Sequence, residues 1–225
     1  MALVLVVEDE LTLAQTIELY LRNEGYKTER ATDGLRALEI FNATSPDLVL
    51  LDIGLPKMDG LELIQKIRQK SNVPVIMLTA RSEEVDELLG LGLGADDYLV
   101  KPVSARKLIA RVKTVLKRSL VNPQNAEIIR VDSLEINTYS QEACVNRKPL
   151  ELTPTEFRLL YHLAATPNRA ISRSELYDYA MPESNAYERA IDIHLTNLRR
   201  KLKEAGLDNI IETVRGIGYR LKDKI

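Results

Sequence analysis

Five polar residues stand where apolar runs stop abruptly, and their types suit phosphoryl chemistry. Leu3–Val7 ends on Glu8 and Asp9, Leu48–Leu51 on Asp52, Val75–Leu78 on Thr79, and Tyr98–Val100 on Lys101. Three carboxylates gathered in one crevice repel one another unless a hard divalent cation sits among them, and Mg²⁺ prefers oxygen ligands while keeping several waters. Lys101 adds a fixed positive charge and Thr79 a hydroxyl donor. Together they describe a pocket for a transferred phosphoryl group, with an aspartate able to act as nucleophile. Each residue also has a plainer reading: Glu8 and Asp9 as caps of the helix that follows, Thr79 as another cap, Asp52 and Lys101-Pro102 as turn formers. Joint placement at successive strand ends favours the pocket.

Such a pocket needs the runs to be neighbouring strands. The run Leu48–Leu51 is what a parallel strand covered on both faces looks like, and open parallel sheets bind ligands beyond the carboxyl ends of their strands. Strands near Leu3–Val7, Lys27–Ala31, Leu48–Asp52, Val75–Leu78 and Tyr98–Val100 interleave with helices near Leu11–Asn23, Gly34–Asn42, Leu61–Lys70, Glu83–Leu93 and Ala105–Arg118. The first helix repeats apolar residues at Leu13, Ile17 and Leu21 before Gly25 ends it. Five βα units of this regularity imply a doubly wound parallel α/β sheet with helices on both faces and right-handed crossovers.

A chain of 225 residues that is 45% apolar has material for two ordinary cores. Its longest apolar runs fall far short of the ~18 residues a membrane span requires, and the N-terminus lacks a basic flank and a cleavable apolar segment, so a soluble, unexported protein is expected. A single cysteine, Cys144, excludes an internal disulfide framework. The net charge of −2 hides a local excess: eight basic residues against four acidic ones between Arg189 and Lys222. That is where a phosphate backbone is expected to lie.

Beyond a tether at residues 119–127 the pattern changes to short strands near Ile128–Val131, Leu134–Asn137 and Ala143–Val145, then helices, then a terminal hairpin. This predicts a separate α+β domain over 128–225. Thr153-Pro154-Thr155-Glu156 and Ser172-Arg173-Ser174-Glu175 read as capping boxes. A third helix, about Ala186–Glu204, carries Ile191, Leu195, Leu198 and Leu202 on one stripe and Arg189, Ile193, Thr196, Asn197, Arg200 and Lys203 on the other. Ile193 within a basic, amide-bearing face suits a thymine methyl, while Arg and Asn pair bidentately with guanine and adenine edges. The plainer reading is a solvated charged face. The hairpin from Glu212 to Leu221, with Thr213 on its first strand and Arg215 at a Gly-bracketed tip, tips the balance, because a wing of this kind pushes Arg into a minor groove.

The motifs Val6-Val7-Glu8-Asp9-Glu10, Leu51-Asp52-Ile53-Gly54-Leu55-Pro56, Met58-Asp59-Gly60, Thr79-Ala80 and Gly94-Ala95-Asp96-Asp97-Tyr98-Leu99-Val100-Lys101-Pro102 resemble those of a two-component receiver domain, covering residues 1–118. The resemblance implies a strand order of 2-1-3-4-5 and makes Asp52 the phosphoacceptor. Glu8, Asp9 and Asp52 would hold Mg²⁺ with the Gly54 carbonyl, and Lys101 would bind phosphoryl oxygens beside a cis bond to Pro102. Thr79 and Tyr98 become a switch pair, with Ala80 leaving room for a donor. Leu152 to Phe157, Arg189 to His194 and Val214 to Arg220 are similar to the winged helix-turn-helix effector of the OmpR/PhoB family. That similarity implies DNA contacts among Arg189, Ile193, His194, Thr196, Asn197, Arg199, Arg200, Thr213 and Arg215. It further implies an RNA polymerase contact in the loop from Met181 to Tyr187 and tandem half-sites on promoter DNA.

The expected protein is thus a cytoplasmic bacterial response regulator, not an enzyme beyond its own phosphorylation and dephosphorylation. A histidine kinase would phosphorylate Asp52 and promote a homodimer. The family's dimer face implies pairs Asp96 with Arg111 and Asp97 with Arg118, while a third pair, Glu87 with Lys107, has both signs reversed relative to the usual family pattern. A swap of this kind would disfavour mixed dimers with paralogues. The chain also has no Trp, which many members carry near Met181, and neither His162 nor His194 has metal-ligand partners in sequence. An aspartyl phosphohydrolase is the rival reading, but its Asp-x-Asp pair would need a second Asp where Gly54 stands. A phosphate-independent regulator is another, disfavoured by the complete set of acids, Lys and Thr.

Overall fold

The computed structural model describes residues 1–79, 90–117, 127–181 and 189–223. They form two compact units, one spanning Met1–Leu116 and the other beginning at Lys117. Ala80, Glu87, Arg118, residues 83–89 of the expected helix, residues 119–126 of the tether and the 182–187 loop lie outside the described residues.

In the first unit β1 (Leu3–Val7), α1 (Leu11–Asn23), β2 (Lys27–Ala31), α2 (Gly34–Thr44), β3 (Leu48–Asp52), α3 (Gly60–Arg68), β4 (Val75–Thr79), β5 (Asp97–Val100) and α4 (Ala105–Lys117) follow in order. The five strands are parallel and lie β2-β1-β3-β4-β5. Every residue of β3 and β4 is buried, which is why both read as unbroken apolar runs. Strand pleating sends Val4, Val6, Leu48, Leu50, Ile76 and Leu78 to one face, against Ile17 and Leu21 of α1 and Leu108 and Val112 of α4. Leu5, Val7, Val49 and Leu51 take the opposite face, where α2 and α3 bury Phe41, Leu63 and Ile67. At the edge, β2 alternates exposed and half-buried residues and carries Lys27, Glu29 and Arg30, a composition that blunts an open strand.

The turn after β3 shows why Gly60 is small. A Cβ there would fall against the Asp52 carbonyl oxygen and lie 2.9 Å from the Ile53 Cα, while the Gly60 N–H donates to the Ile53 carbonyl at 2.9 Å. Asp59 caps α3 by accepting from the Glu62 N–H at 2.7 Å, and Asp33 caps α2 by accepting from the Arg36 N–H at 2.9 Å.

The second unit starts with an antiparallel meander of β6 (Ile128–Val131), β7 (Leu134–Asn137), β8 (Glu142–Val145) and β9 (Lys148–Leu150). Then come α5 (Pro154–Ala165), β10 (Ile171–Ser172), α6 (Arg173–Ala180), α7 (Ala190–Glu204), β11 (Ile211–Val214) and β12 (Gly218–Leu221), the last two pairing as the hairpin with β10 on the outer side of β12. β9 and β10 are too short to show a period and were invisible to the alternation argument. The Thr153–Glu156 capping box is reciprocal. Its counterpart at Ser172 is half formed: Ser172 accepts from the Glu175 N–H, but the Glu175 carboxylate turns to Arg169 at 3.0 Å and His162 at 3.4 Å. Ile191, Leu195, Leu198 and Leu202 of α7 are all buried, as their spacing predicts. Among the described residues no helix is long and apolar enough to cross a membrane.

Candidate functional site

Parallel strands of one sheet put their carboxyl ends on one edge, and β1 and β3 are direct neighbours there. Glu8 and Asp9 follow β1, and Asp52 ends β3. One carboxylate oxygen from each of the three lies within 4.8 Å of the others. Glu8 is fully buried and Asp52 nearly so, while Asp9 faces solvent. Glu10, the N-cap residue of α1, makes no side-chain cap bond, while the Glu8 carboxylate accepts from the Glu10 N–H at 3.4 Å.

Lys101 enters from the end of β5, its N–H bonded to the Thr79 carbonyl at 2.7 Å and its bond to Pro102 cis. Its ammonium lies 2.8 Å from Glu8 and 3.0 Å from Asp52. Burial holds the Glu8 carboxyl above the ordinary range, and the Asp52 charge adds to this, although the Lys101 hydrogen bond opposes it. For Lys101 burial pulls the other way, yet its bonds to Glu8 and Asp52 outweigh that and keep the ammonium firmly charged. Among the described residues, Lys101 thus pairs with two members of a three-acid cluster. Hard oxygen donors with surplus negative charge fit a small divalent cation.

Thr79 is buried at the end of β4, and the Tyr98 ring is almost fully buried on β5. A Cβ on Gly54 would meet nothing within 4 Å. Gly60, quoted in the receiver motif but given no role in the sequence reading, is the glycine that close packing behind Asp52 demands. Lys57 was also missed; held at φ 66°, it reaches the α2 cap Asp33 at 2.7 Å and ties the loop after β3 to α2.

Within one chain the two acids of the expected dimer pairs already have basic partners. Asp96 is 1% exposed, pairs with Arg68 of the same chain at 3.1 Å and accepts from the Val75 N–H at 3.0 Å. Arg111 lies beside Asp97 at 3.5 Å, and both are buried. These charges organise the β4 and β5 ends inside one chain, whereas Lys107 is exposed on α4.

On the second unit, Arg189, Thr196 and Arg200 are exposed along α7, and Ile193 and Asn197 are half-buried. Arg200 pairs with Glu204 at 2.9 Å on an exposed face. The exposed Thr213 and Arg215 extend this surface onto the hairpin, with Ile217 54% exposed at the tip. Two residues of the expected set are engaged within the unit. His194 is 1% exposed, because it sits three residues after Ile191 and four before Leu198 and so joins the buried stripe. Arg199 bends toward the hairpin, donating to the Ile211 carbonyl and the Thr213 hydroxyl, both at 3.0 Å. The loop expected to meet RNA polymerase is described only at Met181, which is buried.

Comparison with known proteins fits both units. Residues 4–113 match the response regulator receiver domain, and residues 147–221 match the C-terminal domain of transcriptional regulatory proteins. The chain is 42% identical to a CpxR homolog from Haemophilus influenzae, over 98% of this chain and 99% of that one. It is 37% identical to the response regulator ArlR of Staphylococcus haemolyticus (97% and 99%) and 38% identical to the phosphate regulon regulator PhoB of Shigella flexneri (98% of each). The chain belongs to the OmpR/PhoB family of two-component response regulators. Among solved structures, a RitR mutant aligns with a TM-score of 0.77 at 25% identity, covering 99% of this chain and 100% of that one. DrrB of Thermotoga maritima, an OmpR/PhoB homolog, aligns with a TM-score of 0.53 at 25% identity, covering 99% of each. As a member of this family the chain is a transcriptional regulator with a receiver and a DNA-binding domain, and not an enzyme.

Proposed function

We propose that Asp52 of this response regulator takes a phosphoryl group from the phosphohistidine of a sensor kinase, and that the receiver, residues 1–118, then drives homodimerisation and promoter binding by residues 128–225 in the cytoplasm. The observation that carries the reading is Lys101, whose ammonium bonds Glu8 and Asp52 together. An Asp52 carboxylate oxygen attacks phosphorus, the N–P bond breaks, and the imidazole leaves. Lys101 is already placed to exchange one carboxylate for a phosphoryl oxygen, which costs little reorganisation. Mg²⁺ held by Glu8, Asp9, Asp52 and the Gly54 carbonyl would neutralise the charge of the incoming group. Burial of Glu8 and Asp52 limits water near the reacting atoms. Thr79, at the end of the neighbouring strand, supplies a hydroxyl for the phosphoryl group, and Tyr98 follows it as the switch partner.

In the effector the DNA contacts are Arg189, Ile193, Thr196, Asn197 and Arg200 around α7, with Asn197 reading a base and Arg200 meeting phosphate, and Thr213 and Arg215 on the wing; RNA polymerase is the further partner, at residues 181–187. The dimer uses the face bearing Lys107, with Glu87 as its complement. The test is labelling with acetyl phosphate, with and without Mg²⁺, coupled to sedimentation. Labelling should need Mg²⁺ and vanish in Asp52→Asn; undiminished labelling of that variant refutes the assignment. The labelled dimer should weaken in Glu87→Lys and recover when Lys107→Glu is added.

A further inference from the structure

The first turn of α7, the helix that would meet DNA phosphates, contains an acid, Asp192. A carboxylate in a first helical turn usually answers the helix dipole or caps the amides, but α7 has no side-chain cap bond. Asp192 points elsewhere. Its Oδ1 accepts from the Arg173 Nε at 2.8 Å and from the Tyr219 hydroxyl at 2.6 Å. Arg173 opens α6, and Tyr219 is the 4%-exposed centre of β12, paired to Ile171 on one side and Thr213 on the other. The guanidinium carbons of Arg173 and Arg199 each lie 5.2 Å from the Tyr219 ring centroid, and Arg199 continues to β11 through Ile211 and Thr213. Both helices of the helix-turn-helix and both strands of the wing therefore meet on one phenol.

We infer that Asp192 and Tyr219 are positioning residues that fix the wing against the reading helix, and that Asp192 also holds the Arg173 guanidinium away from the phosphate backbone. This rests on the reading of α7 as the base-reading helix. A helix in one groove and a wing tip in the next are both in register only if their relative angle is set before binding. A buried phenol needs a hydrogen-bond partner, and a charged acceptor makes that bond strong and directional. Arg173 remains 38% exposed, near enough to solvent to contact phosphate once released.

The test compares full-length wild type, Tyr219→Phe and Asp192→Asn on two duplexes: one selected by the wild-type chain from a random-sequence pool, and one of random sequence. Tyr219→Phe removes the hydroxyl alone and leaves Arg173 and Asp192 paired. It should lower the ratio of selected to random affinity about tenfold, the scale of a hydrogen bond to a charged group, with the salt dependence unchanged. Asp192→Asn should tighten random-duplex binding and steepen the slope of log affinity against log salt by about 0.9, the value of one further phosphate contact. Equal weakening on both duplexes by Tyr219→Phe, or an unchanged ratio, overturns the positioning role. An unsteepened slope in Asp192→Asn overturns the restraint of Arg173. A wild-type chain that selects no preferred sequence at all fails earlier, at the reading of α7 itself, whatever these two variants do.

Discussion

The receiver pocket and the effector surface place functional charges in opposite ways. Glu8, Asp52 and Lys101 are drawn from three strands into a buried crevice where each fixes the others. Arg189, Arg200 and Arg215 stand exposed on one helix and one turn. In the pocket, geometry is set by sheet topology, so charge is expensive to disturb and tied to stability. On the helix, geometry is set by rotamers at a wet surface, so a side chain is replaceable without harm to the fold and matters only when DNA arrives. The contrast teaches that burial, more than charge, decides whether a functional residue is also a structural one.

The sharpest way to break this contrast is Lys101→Met. Removing one partner of a buried ion pair costs about 3–5 kcal/mol, because Glu8 and Asp52 then face each other without a cation. Urea unfolding should show that loss in metal-free buffer, and Mg²⁺ should restore part of it. A Met variant as stable as wild type without Mg²⁺ would mean the pocket is solvated, and the comparison with the effector would collapse.

Gly60→Ala probes the same crevice from behind. The added methyl meets Asp52 main chain, which cannot yield as a flexible side chain would, so a loss of about 1–3 kcal/mol is expected, with slowed phosphoryl uptake. Gly54→Ala, with open space around its Cβ, should be nearly neutral in unfolding experiments. That pair also marks how far the sequence was legible. Strand ends could be read because parallel strands buried on both faces are plain apolar runs that stop, and this placed Glu8, Asp9, Asp52, Thr79 and Lys101 together. Which glycine is sterically obliged could not be read, since the contact joins the turn's far end to a carbonyl eight residues earlier. Arg68 likewise bonds Asp96 across 28 residues, a pairing within the chain that no periodicity reveals. His194 was readable, for its spacing from Ile191 and Leu198 is that of the core stripe; the resemblance to DNA-contacting residues overrode it.

On the effector the expected signature is reversed: binding changes while stability does not. Asn197→Ala should cost roughly 1–3 kcal/mol at a single base pair and relax preference there. Arg200→Ala breaks an exposed pair with Glu204, worth ~0–1 kcal/mol, and should weaken all duplexes evenly while lowering the salt slope by about 0.9. Thermal unfolding of both variants should match wild type within roughly 0.5 kcal/mol. If Asn197→Ala weakens selected and random duplexes alike, its base-reading role is wrong.

The smallest effect tests whether burial or domain membership governs the contrast. Asp33 and Lys57 belong to the receiver, yet Lys57 is 63% exposed, so their pair should behave like the effector's surface charges. The hydrogen bond from Lys57, then that from the Arg36 N–H, holds the Asp33 carboxyl below its ordinary value of 3.8. A carboxyl lowered in the folded state binds its proton less readily there than in the unfolded chain, so the folded state gains stability as the group ionises. That gain is complete above pH 3.8 and disappears as pH falls through the lowered value. Asp33→Asn keeps an N-cap oxygen for α2 but loses the titration. Urea midpoints should therefore place wild type slightly above the variant near neutrality, with the gap closing only below pH 3.8. A gap that is large, or that persists into acid, would show that Asp33 acts as part of the buried pocket and not as a surface tie.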